Sequence, residues 1–176
     1  MLTKIKIKIK SFLFILYYKI YCDIAPQEGE DLILQRFFQQ KKTGFYVDIG
    51  AHHPVRYSNT YALYNIGWNG INVEPNSDIS KEFKKLRTRD INLNYACSTS
   101  KEITFYKFDD PALNTTSPNI VELRKLQGFE YIEKKQVKCI TLNEIFIKYV
   151  QNNSKNIDLL NIDTEGNELE ILKSNN

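Results

Sequence analysis

Residues 46–60 read YVDIGAHHPVRYSNT. A short apolar run closes on Asp48, Ile49, Gly50 and Ala51, and both histidines of the chain, His52 and His53, follow at once ahead of Pro54. A run of this length ended by a glycine reads as a buried strand entering a turn. Such a turn serves as the floor of a nucleotide pocket, as half a metal site, or as a plain strand-to-helix connection. The flanking sequence has to choose between them.

Upstream, GEDLILQRFFQQ (29–40) places Leu32, Ile33 and Phe37 at helical spacing, with Glu30 and Asp31 suited to a helix start. Downstream, Ser58 or Asn59 is expected to cap a helix through TYALYNI (60–66), which Gly67 stops. INVEP (71–75) reads as a second strand. Asn76 to Asp78 offer cap oxygens to a helix that carries Ile79, Phe83 and Leu86 on one face. INLNYACS (91–98) reads as a third strand, and EITFYKF (102–108) as a strand outside the alternation. Pro118 suits the first turn of a helix that ends near Gly128. QVKCI (136–140) reads as a strand, and Thr141 with Glu144 forms a capping box for LNEIFIKYV (142–150). IDLLNID (157–163) reads as a strand apolar on both faces, and EGNELEILK (165–173) as the last helix.

Strands alternating with helices predict an α/β class with a doubly wound, mostly parallel sheet. Right-handed crossovers set the first strands in the order 3-2-1, and IDLLNID joins the far side of strand 1 to give 3-2-1-4. The reversal opens a crevice at the carboxyl ends of the strands. Asp48, Glu74 and Asp163 sit at those ends. An acid closing the second strand typically accepts hydrogen bonds from ribose hydroxyls. Gly50 is expected to let a ligand approach the backbone, and the helix start near Ser58 to favour an anionic group. A dinucleotide would need further glycines, but those places hold His52, His53 and Val55, which disfavours a nicotinamide-dependent oxidoreductase. A ligand with a ribose and a charged amino-acid tail but no phosphate fits better, and S-adenosylmethionine is such a ligand.

FYVDIGAHHPVRYSNTYALYNIGWNGINVEPN (45–76), DPALNTTS (110–117) and IDLLNIDTEGNELEILKS (157–174) resemble the FkbM-type methyltransferases. GEDLILQRFF is similar to their leading helix, and VKCITLNEIF to the segment before their fourth strand. The resemblance implies a Rossmann-like methyltransferase fold and methyl transfer from S-adenosylmethionine, usually to a hydroxyl on a sugar or another small glycan-like acceptor. It also implies cofactor contacts at Asp48, Gly50, Ala51, Glu74 and Ala96. Asp163 would face the methyl-transfer centre, and Glu165 would begin the next helix. The chain departs from the pattern of many methyltransferases in having HHP after the first-strand turn. It also ends at KSNN, where the family continues into further strands. The expected organisation is therefore a leader over 1–25 and a methyltransferase domain over 26–176 with C-terminal strands missing. The alternative is an inactive remnant that acts as an association module.

A hydroxyl acceptor calls for a base, and His53 and Asp163 are the candidates. The bland roles are packing for His52 and a loop hydrogen bond for His53. Adjacent histidines in extended chain point to opposite sides, and no ligand cluster accompanies Asp163 and Glu165, so no metal is expected. DPALNTTS is expected to close over the acceptor, with Asn114, Thr115 and Thr116 within reach of it. Tyr57, Tyr61 and Tyr64 read as helix packing and Trp68 as a core anchor. Net charge is +3, but Lys4, Lys6, Lys8 and Lys10 account for more than all of it, so nothing in the charge calls for nucleic acid. Cys22, Cys97 and Cys139 lack metal-ligand spacing and read as reduced thiols of a cytoplasmic protein. The basic and apolar stretch 4–21 suits weak contact with an anionic membrane surface, or else an extra strand.

Overall fold

The computed structural model describes residues 29–38, 41–153 and 156–173. The expected leader, the membrane contact expected over 4–21 and Cys22 lie outside the described residues.

Helix α1 (Glu30–Phe37) precedes β1 (Phe45–Ile49), a strand buried at every position. Then come α2 (Tyr61–Asn65), β2 (Asn69–Val73), α3 (Ser77–Leu86) and β3 (Ile91–Leu93). The second half of the chain holds β4 (Ala96–Cys97), β5 (Glu102–Phe108), α4 (Pro118–Leu126) and β6 (Tyr131–Ile140). It closes with α5 (Leu142–Ile145), β7 (Leu159–Ile162) and α6 (Glu168–Lys173).

The main sheet has the order β3-β2-β1-β7 with every neighbour parallel, which is the expected 3-2-1-4 with β7 as fourth strand. Asp48 stands in register with Asn72 on β2 and Asn161 on β7. One face of this sheet packs Val47, Ile49, Ile71 and Val73 against Leu142, Ile145 and Ile171. Burying each of Val47, Ile49 and Ile71 completely contributes roughly 1.5–3 kcal/mol. The other face packs Tyr46 with Leu63 and Trp68. Trp68 is the anchor expected: its ring lies where a Cβ on Gly44 would come within 2.6 Å, and its Nε1 donates to the Lys41 carbonyl at 2.9 Å.

A second sheet has the order β4-β6-β5, and its Cys97 and Ile140 join the core that packs on the first. INLNYACS is therefore not one strand. After Leu93 the Asn94 amide donates to the Glu74 and Pro75 carbonyls, and past that anchor Ala96 and Cys97 pair with Cys139 and Ile140. β6 is longer than QVKCI because the antiparallel β5 supports it as far as Tyr131.

Smaller expectations also change. Thr60, not Ser58 or Asn59, sits at the N-cap of α2 and makes no side-chain cap bond; the Ser58 and Thr60 hydroxyls face a buried arginine described below. In α3, Ile79 and Phe83 are buried but Leu86 is 51% exposed. The Thr141–Glu144 capping box forms, yet the helix widens to a π-turn at Phe146–Val150. In β7, Asn161 turns inward to the Asp48 carboxylate and Leu160 is partly exposed, so the strand is not apolar on both faces. Cys97 is buried and Cys139 half-buried, both as free thiols. No helix among the described residues is long and apolar enough to cross a membrane.

Candidate active site

A cavity of about 280 Å³ opens where the parallel strands end. Gly50, Glu74, Ala96 and Asp163 line it, so four of the residues singled out in the sequence meet there. Asp48 and Ala51 do not. Asp48 lies one layer below, in the floor, where Oδ1 accepts from Asn161 Nδ2 and Oδ2 from the Thr60 hydroxyl, both at 2.8 Å. Burial pushes its carboxyl above the usual range against those hydrogen bonds. Ala51 packs on Ile79 and Phe83.

Glu74 is the most constrained acid of the site. It follows β2, is 8% exposed, and accepts from two backbone amides, Asn76 N at 2.7 Å and His52 N at 3.1 Å. Burial raises its pKa to about 8. Held by one amide on each oxygen, the carboxyl group cannot swing, and its remaining lone pairs suit a pair of vicinal hydroxyls. Beside it Pro75, Ile79, Tyr95 and Ala96 give an apolar wall of the kind a flat aromatic base fills.

Gly50 lines the cavity and also takes a close approach from the protein's own backbone. Its φ is +77°, and an added Cβ would fall 1.9 Å from the Asp163 carbonyl. The backbone that approaches Gly50 is that of the chain leaving β7, where Asp163 N donates to the Ile49 carbonyl. This contact brings the Asp163 end of β7 against the first turn. The Asp163 side chain is solvent-accessible on the cavity wall and accepts no hydrogen bond from the described residues. Partial burial, then the nearby charges of Glu168 and Glu30, raise its pKa above the ordinary carboxylate range.

The histidines part company. His52 lines the cavity, and burial lowers its pKa to about 4, so it is neutral at pH 7. His53 is not among the lining residues. Its Nδ1 accepts from Val55 N and Arg56 N, and its Nε2 lies 3.2 Å from Glu82. With the acceptor nitrogen facing two amides and the other facing a carboxylate, neither is left for an acceptor hydroxyl. His53, one of the two expected bases, braces the loop through the Val55 and Arg56 amides.

Tyr57 was expected to pack in a helix. It instead precedes α2 with φ +54°, lines the cavity, and stacks on His52 with ring centroids 6.1 Å apart. Glu165 does not begin α6 either. It adopts φ +57° in the turn, and Glu168 braces that turn by accepting from Thr164 N at 2.8 Å and Gly166 N at 3.0 Å.

Residues 110–117 fold over this turn. Thr115 Oγ1 donates to the Glu165 carbonyl at 3.1 Å, and Asn167 Nδ2 donates to Thr116 Oγ1 at 2.6 Å. Arg124, nearly buried, donates to Glu165 Oε2 at 3.0 Å and to the Leu113 carbonyl. Asn114 Oδ1 accepts from Phe108 N at 2.8 Å. Asn114, Thr115 and Thr116 line the cavity, and their side-chain contacts hold the cover in place.

Beneath the site runs a polar network that sequence reading missed. Arg87 is fully buried and its Nε donates to Asp90 at 2.9 Å. Its Nη2 reaches the Tyr46 hydroxyl at 2.6 Å and Thr60 Oγ1 at 2.9 Å, and its Nη1 the Pro54 carbonyl at 2.9 Å. Asp90 also accepts from Gly70 N and Asn72 Nδ2, each at 2.9 Å. The signal lay in Tyr46, Asn72 and Asn161, polar groups on strands that are otherwise apolar. Among the described residues no group of three or more His, Cys, Asp and Glu is placed to hold a metal ion.

Residues 48–176 match the family model described as the Methyltransferase FkbM domain. No curated protein and no solved structure was found to match the chain.

Proposed function

We propose that this chain, which belongs to the FkbM methyltransferase family, binds S-adenosylmethionine in the strand-end cavity and methylates a hydroxyl oxygen of a small-molecule or glycan acceptor. The observation that carries the reading is Glu74: a buried acid after the second strand, oriented by the amides of His52 and Asn76, facing the same cavity as Asp163. The residues fit the cofactor. Glu74 would take the ribose hydroxyls, and Ile79, Tyr95 and Ala96 the adenine, while Gly50, Asp163 and Thr164 border the remainder. The volume, about 280 Å³, lies just below the roughly 300–1,000 Å³ typical of ligand pockets.

When bound, the cofactor supplies a methyl group activated on a positively charged sulfur. The protein's tasks are alignment, exclusion of water and removal of one proton. Asp163 supports the last: its carboxylate is on the wall, is not held by the described residues, and has a raised pKa, which strengthens it as a base. Asp163 would be placed to take the proton that an acceptor hydroxyl gives up on methylation, the sulfur–methyl bond being the one that breaks. The neutral His52 and the Tyr57 ring shape the wall, and the cover at 110–117 restricts water. Photochemical cross-linking with tritium-labelled S-adenosylmethionine tests the reading. Labelling that unlabelled S-adenosylhomocysteine competes away and Glu74→Ala abolishes supports it; labelling that ignores both refutes it.

A further inference from the structure

The wall segment from His52 to Ser58 is built in an unfavourable way. His52 and Tyr57, the two side chains it turns into the cavity, both have φ of +54°. Neither is glycine, and each such residue costs about 1–3 kcal/mol unless its surroundings fix it. The segment lacks the hydrogen-bonding of a regular element, so something else must hold it.

Three anchors are visible. Glu74 accepts from His52 N at one end, and His53 accepts from Val55 N and Arg56 N in the middle. The third is Arg87, whose Nη1 donates to the Pro54 carbonyl at 2.9 Å and lies 3.5 Å from Ser58 Oγ. Arg87 is also the anchor tied to the sheet. Its other contacts are Asp90, the Tyr46 hydroxyl, and Thr60 Oγ1, which in turn donates to Asp48. Its guanidinium lies 4.6 Å from the Tyr64 ring centroid, so it is packed as well as bonded. A planar fork that serves several acceptors in fixed directions is a task for which lysine is no substitute.

We propose that Arg87 is a positioning residue of the methyl-transfer site, fixing His52 and Tyr57 in the cavity wall through the Pro54 carbonyl while touching neither cofactor nor acceptor. Its functional meaning rests on the methyl-transfer reading, but its geometric content does not. A buried ion pair with Asp90 alone would explain the charge; it would not explain the arm that reaches across to the loop.

The test is Arg87→Lys, which keeps a charge for Asp90 and loses the fork. Nuclear magnetic resonance titration of His52 is the deciding readout, because its pKa of about 4 reflects enclosure in the wall. In the folded variant His52 is expected to titrate well above that, toward its ordinary 6.5, and affinity for S-adenosylhomocysteine to fall roughly tenfold. Ile145→Ala, a cavity in a core cluster that includes none of residues 52–58, controls for lost stability and is expected to leave His52 unmoved. Thr60→Val removes one arm of the fork in case Arg87→Lys does not fold, and is expected to move His52 the same way by less. An unchanged His52 titration in the folded variants would overturn the proposal, as would an equal shift in Ile145→Ala. Failure of the wild-type chain to bind S-adenosylhomocysteine would refute the methyl-transfer reading, while the His52 result would still decide whether Arg87 positions the loop.

Discussion

Gly50 and Asp163 are held so close that a methyl group on Gly50 would lie 1.9 Å from the Asp163 carbonyl. This contact joins the first strand's turn to the last strand's end and brings the two sides of the cavity together. Gly50→Ala is accordingly expected to cost about 2–4 kcal/mol, from the clash and from the φ of +77° combined. Chemical denaturation checks it. A loss under about 0.5 kcal/mol, the range of an ordinary surface change, would show that the contact is not constraining.

Glu74 gives a pH signature with a definite sign. Its folded pKa, about 8, exceeds the ordinary 4.5. Its contribution to stability is therefore fully present below about pH 4.5 and is lost as the pH rises through 8. Glu74→Gln lacks that loss. The melting temperature of the unliganded variant minus that of the wild type is expected to increase steadily between pH 5 and pH 8. A flat difference would show that the carboxyl is not buried as described.

Asp48 should behave as architecture. It meets Thr60 and Asn161 below the cavity, and it is not among the lining residues. Asp48→Asn is expected to lose about 1–3 kcal/mol of stability through one mismatched buried partner. Affinity for S-adenosylhomocysteine in the folded variant is expected to stay within about threefold. A variant of unchanged stability that no longer binds would return Asp48 to the cofactor.

Asp163 carries the opposite expectation. Asp163→Asn is expected to fold normally, since the side chain is accessible, and to slow methyl transfer by roughly 10²–10⁴-fold. In the wild type the rate should fall as acid protonates Asp163, beginning at a higher pH than an ordinary aspartate would require. His53→Gln, measured in the same single-turnover assay, is expected to keep its rate within about tenfold. Equal loss in both variants would mean the base has been misassigned.

Much of this was legible in the chain. The strand order followed from the alternation of apolar runs with helices, and the capping box of Thr141 and Glu144 from its spacing. The places of Glu74 and Asp163 followed from their position just after apolar runs. Other features depended on long-range partners that local pattern does not record. Asn94 breaks the third strand only because the Glu74 and Pro75 carbonyls are there to receive it. Gly50 is also approached by the backbone of residue 163, more than a hundred positions along the chain. Tyr57 lines the cavity and His53 does not, in a loop where His52 and Tyr57 both have left-handed φ. The Arg87 network joins residues from 46 to 90, and no periodicity reports it.

The most direct measurement is calorimetric titration of the full chain with S-adenosylhomocysteine, alongside Glu74→Ala. One site of micromolar affinity, lost in the variant while the fold persists, is the predicted result. Well-folded wild-type protein that gives no binding heat at any temperature tried, or a variant that binds as well as the wild type, would contradict the account.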